Sequence, residues 1–314
     1  MPILVAPSIV IPDVPVDGPP WPQRINETPT ISFTDPGGVT TMLTDWERGW
    51  AVQPGAKGLD MPGYAMAQDE SPGIDGYAVR QVRAQGKMIA LPVAFWMNDS
   101  RAAYLQRRRQ FIRSLNPKRG PGTLTLTQPD GETRTIGVYY TDGMEGDESL
   151  DAAGQRWCIN VITFACPSPY WLGPEVAAEW RNAASGTFFP LLPVTVGDSQ
   201  VLGAVTYDQD GDDDAYPVWT ITGPATAITL SNTTTGESLT LNRTITSADT
   251  VVIDTRERRQ TALLNAVTNL WPDLSSTSSL WALAPGINEL TLAVTSSTTT
   301  TRVAMSYQPR YLAA

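Results

Sequence analysis

The densest group of potential ligands is Asp208-Gln209-Asp210-Gly211-Asp212-Asp213-Asp214. Carboxylates crowded in this way can hold a hard cation through oxygen. Counted from Asp208, however, the glycine falls too early for an EF-hand loop, and Trp219 stands at the twelfth position, where the bidentate glutamate belongs. The run reads as a solvated acidic loop over 208–214, with a loose calcium or sodium site as the alternative. Gly55-Ala56-Lys57-Gly58 lacks the G-x-x-x-x-G-K-[ST] spacing of a phosphate cradle. Cys158 and Cys166 share one apolar run. As a strand it would separate them by about 26 Å, against the ~7 Å limit for a disulfide, so both read as free, buried thiols. Arg107-Arg108-Arg109 reads as a solvated helix face, with docking to an acidic neighbour as the sharper reading. Trp180, Trp219, Trp271 and Trp281 could stack on sugars, but in a β-sandwich they serve more often in the core.

The chain contains no histidine. That removes the usual general base near neutral pH, every Ser-His or Cys-His arrangement, and the commonest ligand of catalytic zinc. Paired carboxylates for glycan hydrolysis are defined by their separation in space and cannot be picked from sequence. The expectation is a non-enzymatic chain with no catalytic, cofactor-binding or metal residue. A net charge of −10 opposes nucleic-acid binding, which relies on surplus Lys and Arg. With 41% hydrophobic and 17% charged residues over 314 positions, the chain can bury one large core or two ordinary ones.

Residues 1–30 are proline-rich and read as an extended arm with one or two short strands. Their apolar start lacks a basic leader and is broken by Pro2, Pro7 and Pro12, so neither a signal peptide nor a membrane anchor is expected. Strand character over 31–52 gives way to a glycine-rich stretch, 54–76, read as one long loop, and returns over 77–97. A helix is expected over about 99–115, capped by Asn98, Asp99 or Ser100 and stopped at Asn116-Pro117. Its apolar face would hold Tyr104, Leu105, Phe111, Ile112 and Leu115, with Arg108 interrupting it. Thr123 to Thr127 alternates strictly, and Pro129-Asp130-Gly131 turns it into a hairpin that returns through Ile136, Val138 and Tyr140. Arg156 to Cys166 is apolar at both parities, which suits a strand covered on both sides. Pro167 to Pro174 reads as a domain boundary. Beyond it, short Thr- and Ser-rich alternating strands indicate a β-sandwich.

Several pieces occur in an order that resembles the distal tail proteins of siphovirus-type bacteriophages, the siphophage tail-component family. In the first half they are Pro72-Gly73-Ile74-Asp75-Gly76, Gly86 to Phe95, the helix into Leu115-Asn116-Pro117, Gly122 to Leu126, and Phe164 to Trp171. In the second half they are Gly223-Pro224-Ala225, Asn232 to Gly236, Ile253 to Arg256, Leu283 to Asn288 and Tyr307 to Tyr311. The resemblance spans most of the chain from about residue 40. It implies a mainly β fold with one helix: an N-terminal ring-forming belt domain, 1–168, related to tail-tube proteins, and a C-terminal galectin-like β-sandwich, 169–314. It further implies a structural virion protein at the tail tip, assembled in the host cytoplasm.

The partners so implied are five further copies in a hexameric ring, the tail tube protein, a tail hub or tail-associated lysin-type protein, and receptor-binding proteins or host-surface glycans. DNA would pass through without specific binding; six copies would carry roughly −60, a lumen that repels phosphate. Loop 54–76 would contact a neighbouring subunit or line the ring, with a plain mobile loop as its bland reading. The competing functions are a carbohydrate-binding cell-wall attachment module and a carboxylate-based glycan hydrolase.

Overall fold

Alternation and punctuation by turn residues build nearly all of the first half. The computed structural model describes residues 28–70, 72–73, 75–145, 156–181, 200–201 and 203–314; the expected N-terminal arm lies almost wholly outside these residues. Strands β1 (Thr30–Thr34), β2 (Thr40–Met42), β3 (Trp50–Val52), β4 (Tyr64–Asp69), β5 (Ala78–Ala84) and β6 (Lys87–Trp96) precede helix α1 (Arg101–Ser114). After it come β7 (Gly122–Thr127), β8 (Thr133–Asp142), β9 (Trp157–Cys166) and β10 (Trp171–Leu172). The main sheet runs β2-β1-β7-β8-β9-β6-β3. The β7–β8 turn forms where expected: Gly131 takes φ +95, and its N–H donates to Gln128 O at 3.0 Å. β8 gives its first half to β7 and its second half to β9.

Helix α1 starts at Ser100, whose Oγ accepts from Ala103 N at 3.1 Å, and it ends before Pro117, which disfavours helical backbone at Asn116. Its inner face is Tyr104, Phe111 and Leu115, with Arg108 half-buried among them. Leu105 is half-buried and packs against the same core, while Ile112 is exposed, which corrects that one position of the stripe expected from sequence. At 100° per residue Ile112 lies one step round from Phe111, on the outer edge of the stripe. Phe111 meets Trp50 edge-on at 4.8 Å, Trp50 stacks on Phe95 at 5.1 Å, and Phe95 stacks on Tyr104 at 5.2 Å. This aromatic column joins the helix to β3 and β6.

The second half holds β11 (Val176–Arg181), β12 (Gln200–Val201), β13 (Ala204–Gln209), β14 (Val218–Thr222), β15 (Ala227–Asn232), β16 (Glu237–Leu241) and β17 (Thr250–Asp254). It continues with β18 (Thr261–Leu264), β19 (Thr268–Asn269), β20 (Gly286–Thr295), β21 (Arg302–Tyr307) and β22 (Arg310–Tyr311). A sheet ordered β12-β11-β21-β14-β17-β18-β19 and one ordered β13-β20-β15-β16 share a single core around Trp180, Trp219, Ile228, Leu241 and Met305. That is a β-sandwich.

The chain end then leaves the sandwich. β22 pairs with β10, and β10 pairs with β8 at Leu172–Thr135. Trp171 and Tyr311 are buried in the N-terminal core, and the Arg134 guanidinium lies 3.9 Å over the Tyr311 ring. The protein is therefore mainly β with α1 as the α-helix among its described residues, and the last strand ties its two hydrophobic cores together.

Candidate assembly surface

The stretch expected to be a long glycine-rich loop, 54–76, is loop for most of its length but holds a bridge to β6 and one strand. Its first part lies against β6: Lys57 N–H donates to Ala90 O at 2.9 Å, and Ala90 N–H returns to Lys57 O at 3.0 Å. Gly58 makes this approach workable, since a Cβ there would stand 2.0 Å from Met88 O and φ is +79. Trp171 Nε1 donates to Leu59 O at 2.8 Å and Lys87 Nζ to Asp60 O at 3.0 Å, pinning the next two residues. The second part is β4, which pairs only with β5 among the described strands. Sequence reading missed β4 because every one of its residues is exposed or half-buried, so no inward face marks it.

The β4–β5 hairpin is nonetheless amphipathic. The register sets Tyr64 opposite Ala84, Met66 opposite Val82 and, past a bulge, Gln68 opposite Val79. Cross-strand partners share a face, so Tyr64, Met66, Val79 and Val82 form an apolar side, all of it exposed. Arg80 and Asp69 pair on the hairpin. A two-stranded sheet is marginal in water without a surface to pack on.

A second uncovered surface lies on β6 and β9. Their register pairs Trp96 with Trp157, Ala94 with Ile159, Pro92 with Val161 and Met88 with Ala165 on one face. Trp157, Ile159, Val161 and Met88 each keep about half their area exposed, 52–54%. The strand expected to be covered on both sides is thus covered on one: the side holding Ile162, Phe164 and Cys166 is buried, and the other faces solvent. Apolar residues at both parities signal burial of both faces, and the described residues bury only one. At one end Trp46 packs edge-on to Trp96 at 4.6 Å. These rings, with Ala94, Met97, Trp157 and Ile159, line a shallow cleft of about 570 Å³. No charged side chain interrupts β6 or β9 on this face.

The other residues singled out from sequence fall as follows. Arg107 donates to Arg48 O, so it ties the helix to the turn before β3 rather than standing free. Loop 208–214 is fastened to the chain end instead of being simply solvated. Gln209 is buried and its Nε2 donates to Asp213 O at 2.8 Å, while Asp212 N–H donates to Arg310 O at 2.7 Å and Asp212 Oδ2 accepts from Leu312 N at 3.0 Å. Three of the four tryptophans are core: Trp180, Trp219 and Trp281 are at most 2% exposed, and only Trp271 is open. Cys158 and Cys166 are free thiols; Cys166 is buried and Cys158 half-buried. Burial pushes the Cys166 thiol up to about 11, with Lys87 pulling the other way, and burial lowers the Lys87 ammonium below its ordinary value. This buried lysine gave no sequence signal, because its amphipathic stem fits a core and its head needs only two carbonyls.

The mainly β fold thus leaves two apolar surfaces exposed, on the β4–β5 hairpin and on β6 and β9. Residues 210–311 match the family described as siphovirus-type tail component, C-terminal domain. The whole fold is similar to that of the SPP1 Dit (gp 19.1) protein, described as a paradigm of the hub adsorption apparatus in phages that infect Gram-positive bacteria. The TM-score is 0.64 at 14% identity over 90% of this chain and 99% of that one. Chains from the phage P2 baseplate in its activated conformation with Ca align at TM-score 0.47 and 10% identity over 89% of this chain and 98% of that one. No curated protein matches the sequence. The resemblance to distal tail proteins is thus carried by sequence in the C-terminal region and by fold along nearly the whole chain.

Proposed function

We propose that this protein is a non-enzymatic connector at the distal end of a siphovirus-type tail. Copies close head-to-tail into a ring, six in number, between the tail tube and the tail hub, leaving a channel for DNA. Residues 1–168 form the ring-forming belt domain and 169–314 the sandwich that faces other tail-tip proteins. The observation that carries this reading is the match of residues 210–311 to the tail-component domain. The two apolar surfaces supply the mechanism. A heterologous contact repeats until its rotation closes, and it needs two different, complementary patches on each copy. The β4–β5 hairpin of one copy lies on the β6–β9 face of the next. Covering the exposed halves of Trp157, Ile159, Val161 and Met88 contributes on the order of 1 kcal/mol each, and the hairpin gains a packing surface that no described strand of its own chain gives it.

Light scattering with negative-stain microscopy tests the ring. Closed rings with a central hole are expected as concentration rises, and a persistent monomer at high concentration sinks the reading. Val161→Glu and Met66→Glu should each leave the monomer's melting temperature within a degree or two and abolish ring closure, because each places an unpaired charge in the buried contact.

A further inference from the structure

A second cleft, of about 580 Å³, lies where the sandwich meets the segment Pro167–Leu172. Its size is that of a small-molecule site. In a chain of net charge −10 it is an exception, being lined by four arginines and two glutamates. Two of these arginines are already committed. Arg256 makes a fork to Asp254, at 2.9 Å and 2.6 Å. Arg310 sits between the rings of Tyr170 and Tyr216, 5.1 and 4.7 Å from their centroids, and bonds Glu257 at 3.1 Å. Arg258 and Arg259 are exposed and form no ion pair among the described residues. They stand on a β-turn closed by Arg259 N–H to Arg256 O at 3.0 Å, and Arg258 holds φ +65. That left-handed position favours glycine or asparagine, and a bulky cation placed there is strained backbone beside an open cleft.

We propose that this cleft binds an anionic saccharide, with Arg258 and Arg259 holding its carboxylate or phosphate group and the committed Arg310–tyrosine stack forming the floor beneath its ring. Guanidinium forks suit either acid group. Ser168, Ser306 and Gln308 supply hydroxyl and amide partners for sugar hydroxyls. The lining mixes arginines and hydroxyls with the tyrosine rings of Tyr170 and Tyr216, a combination that suits a sugar's polar edge and apolar face together and favours a glycan over an acidic peptide. The site lies within one copy and does not depend on ring closure. It also lies apart from the tryptophans that a sequence reading would assign to sugar, three of which are buried.

Calorimetric titration of the full chain decides the matter, with trigalacturonate as the carboxylate probe, glucose 1-phosphate as the phosphate probe, and neutral maltotriose and hexa-aspartate as controls. Binding of one or both acidic probes, with neither control binding, is the expected result, and the stronger acidic probe identifies the acid group. Arg258→Gly should weaken that binding by about tenfold or more while melting no lower than the parent, since glycine relieves the left-handed turn. Arg259→Gln should weaken it similarly. Failure of both acidic probes at millimolar concentration overturns the proposal. So does equal binding of hexa-aspartate, or undiminished binding in both variants.

Discussion

Phe111 and Ile112 are neighbours in sequence with opposite fates, and they make the sharpest residue-level test of the helix. Phe111 is 4% exposed and wedged against Trp50, so Phe111→Ala should cost about 3–5 kcal/mol by chemical denaturation. Ile112 is exposed, and Ile112→Ala should stay within about 0.5 kcal/mol. Equal losses would mean that the helix is rotated from the face described. At Cys166 the buried thiol, pushed up to about 11, keeps its proton well past neutrality. At pH 8 on the order of one thiol in a thousand is ionised. Iodoacetamide should therefore leave Cys166 unmodified in the folded chain at pH 8 and alkylate it after unfolding, with reactivity rising as pH climbs toward 11. Mass spectrometry reads the result, and prompt labelling of the folded protein would contradict the burial.

Among the elements, β22 has a role out of proportion to its two residues. It carries Tyr311 out of the sandwich's polypeptide and into the N-terminal core, where Arg134 covers the ring and also donates to Ala313 O at 2.9 Å. Tyr311→Ala should destabilise the N-terminal half by about 2–4 kcal/mol and leave the sandwich unchanged. The expected calorimetric signature is one shared transition splitting into two, the lower belonging to the N-terminal half; a single unshifted transition would show that β22 ties nothing together. The β4–β5 hairpin is the opposite case, since little but its mutual pairing holds it. Its amides should exchange fast in the monomer and become protected in the proposed ring, a contrast that hydrogen exchange measures directly.

For the molecule as a whole, the proposed ring, closed by apolar faces, should respond to solvent as hydrophobic contacts do. Adding sodium chloride should not dissolve it, sulfate should strengthen it, and assembly should show a negative heat-capacity change by calorimetry. Dissolution at moderate salt would instead indicate a contact made by ion pairs. Much of this molecule follows from local sequence alone. The helix ends follow from Ser100 and Pro117, the β7–β8 hairpin from strict alternation and a Pro-Asp-Gly turn, and the absence of a His-dependent site from composition. Such features depend on steps of two, three or four residues, which a sequence displays directly. Other features required the tertiary structure. Only there do residues 64–69 emerge as a strand, because a hairpin with no side buried against the described residues leaves no inward periodicity to read. Only there does β9 prove half-covered, because coverage of its second face depends on what packs over it in space, and no described residue does so over Trp157, Ile159 and Val161. And only there does Tyr311 join a core whose other members lie more than a hundred residues earlier, because burial is a property of space and not of sequence separation.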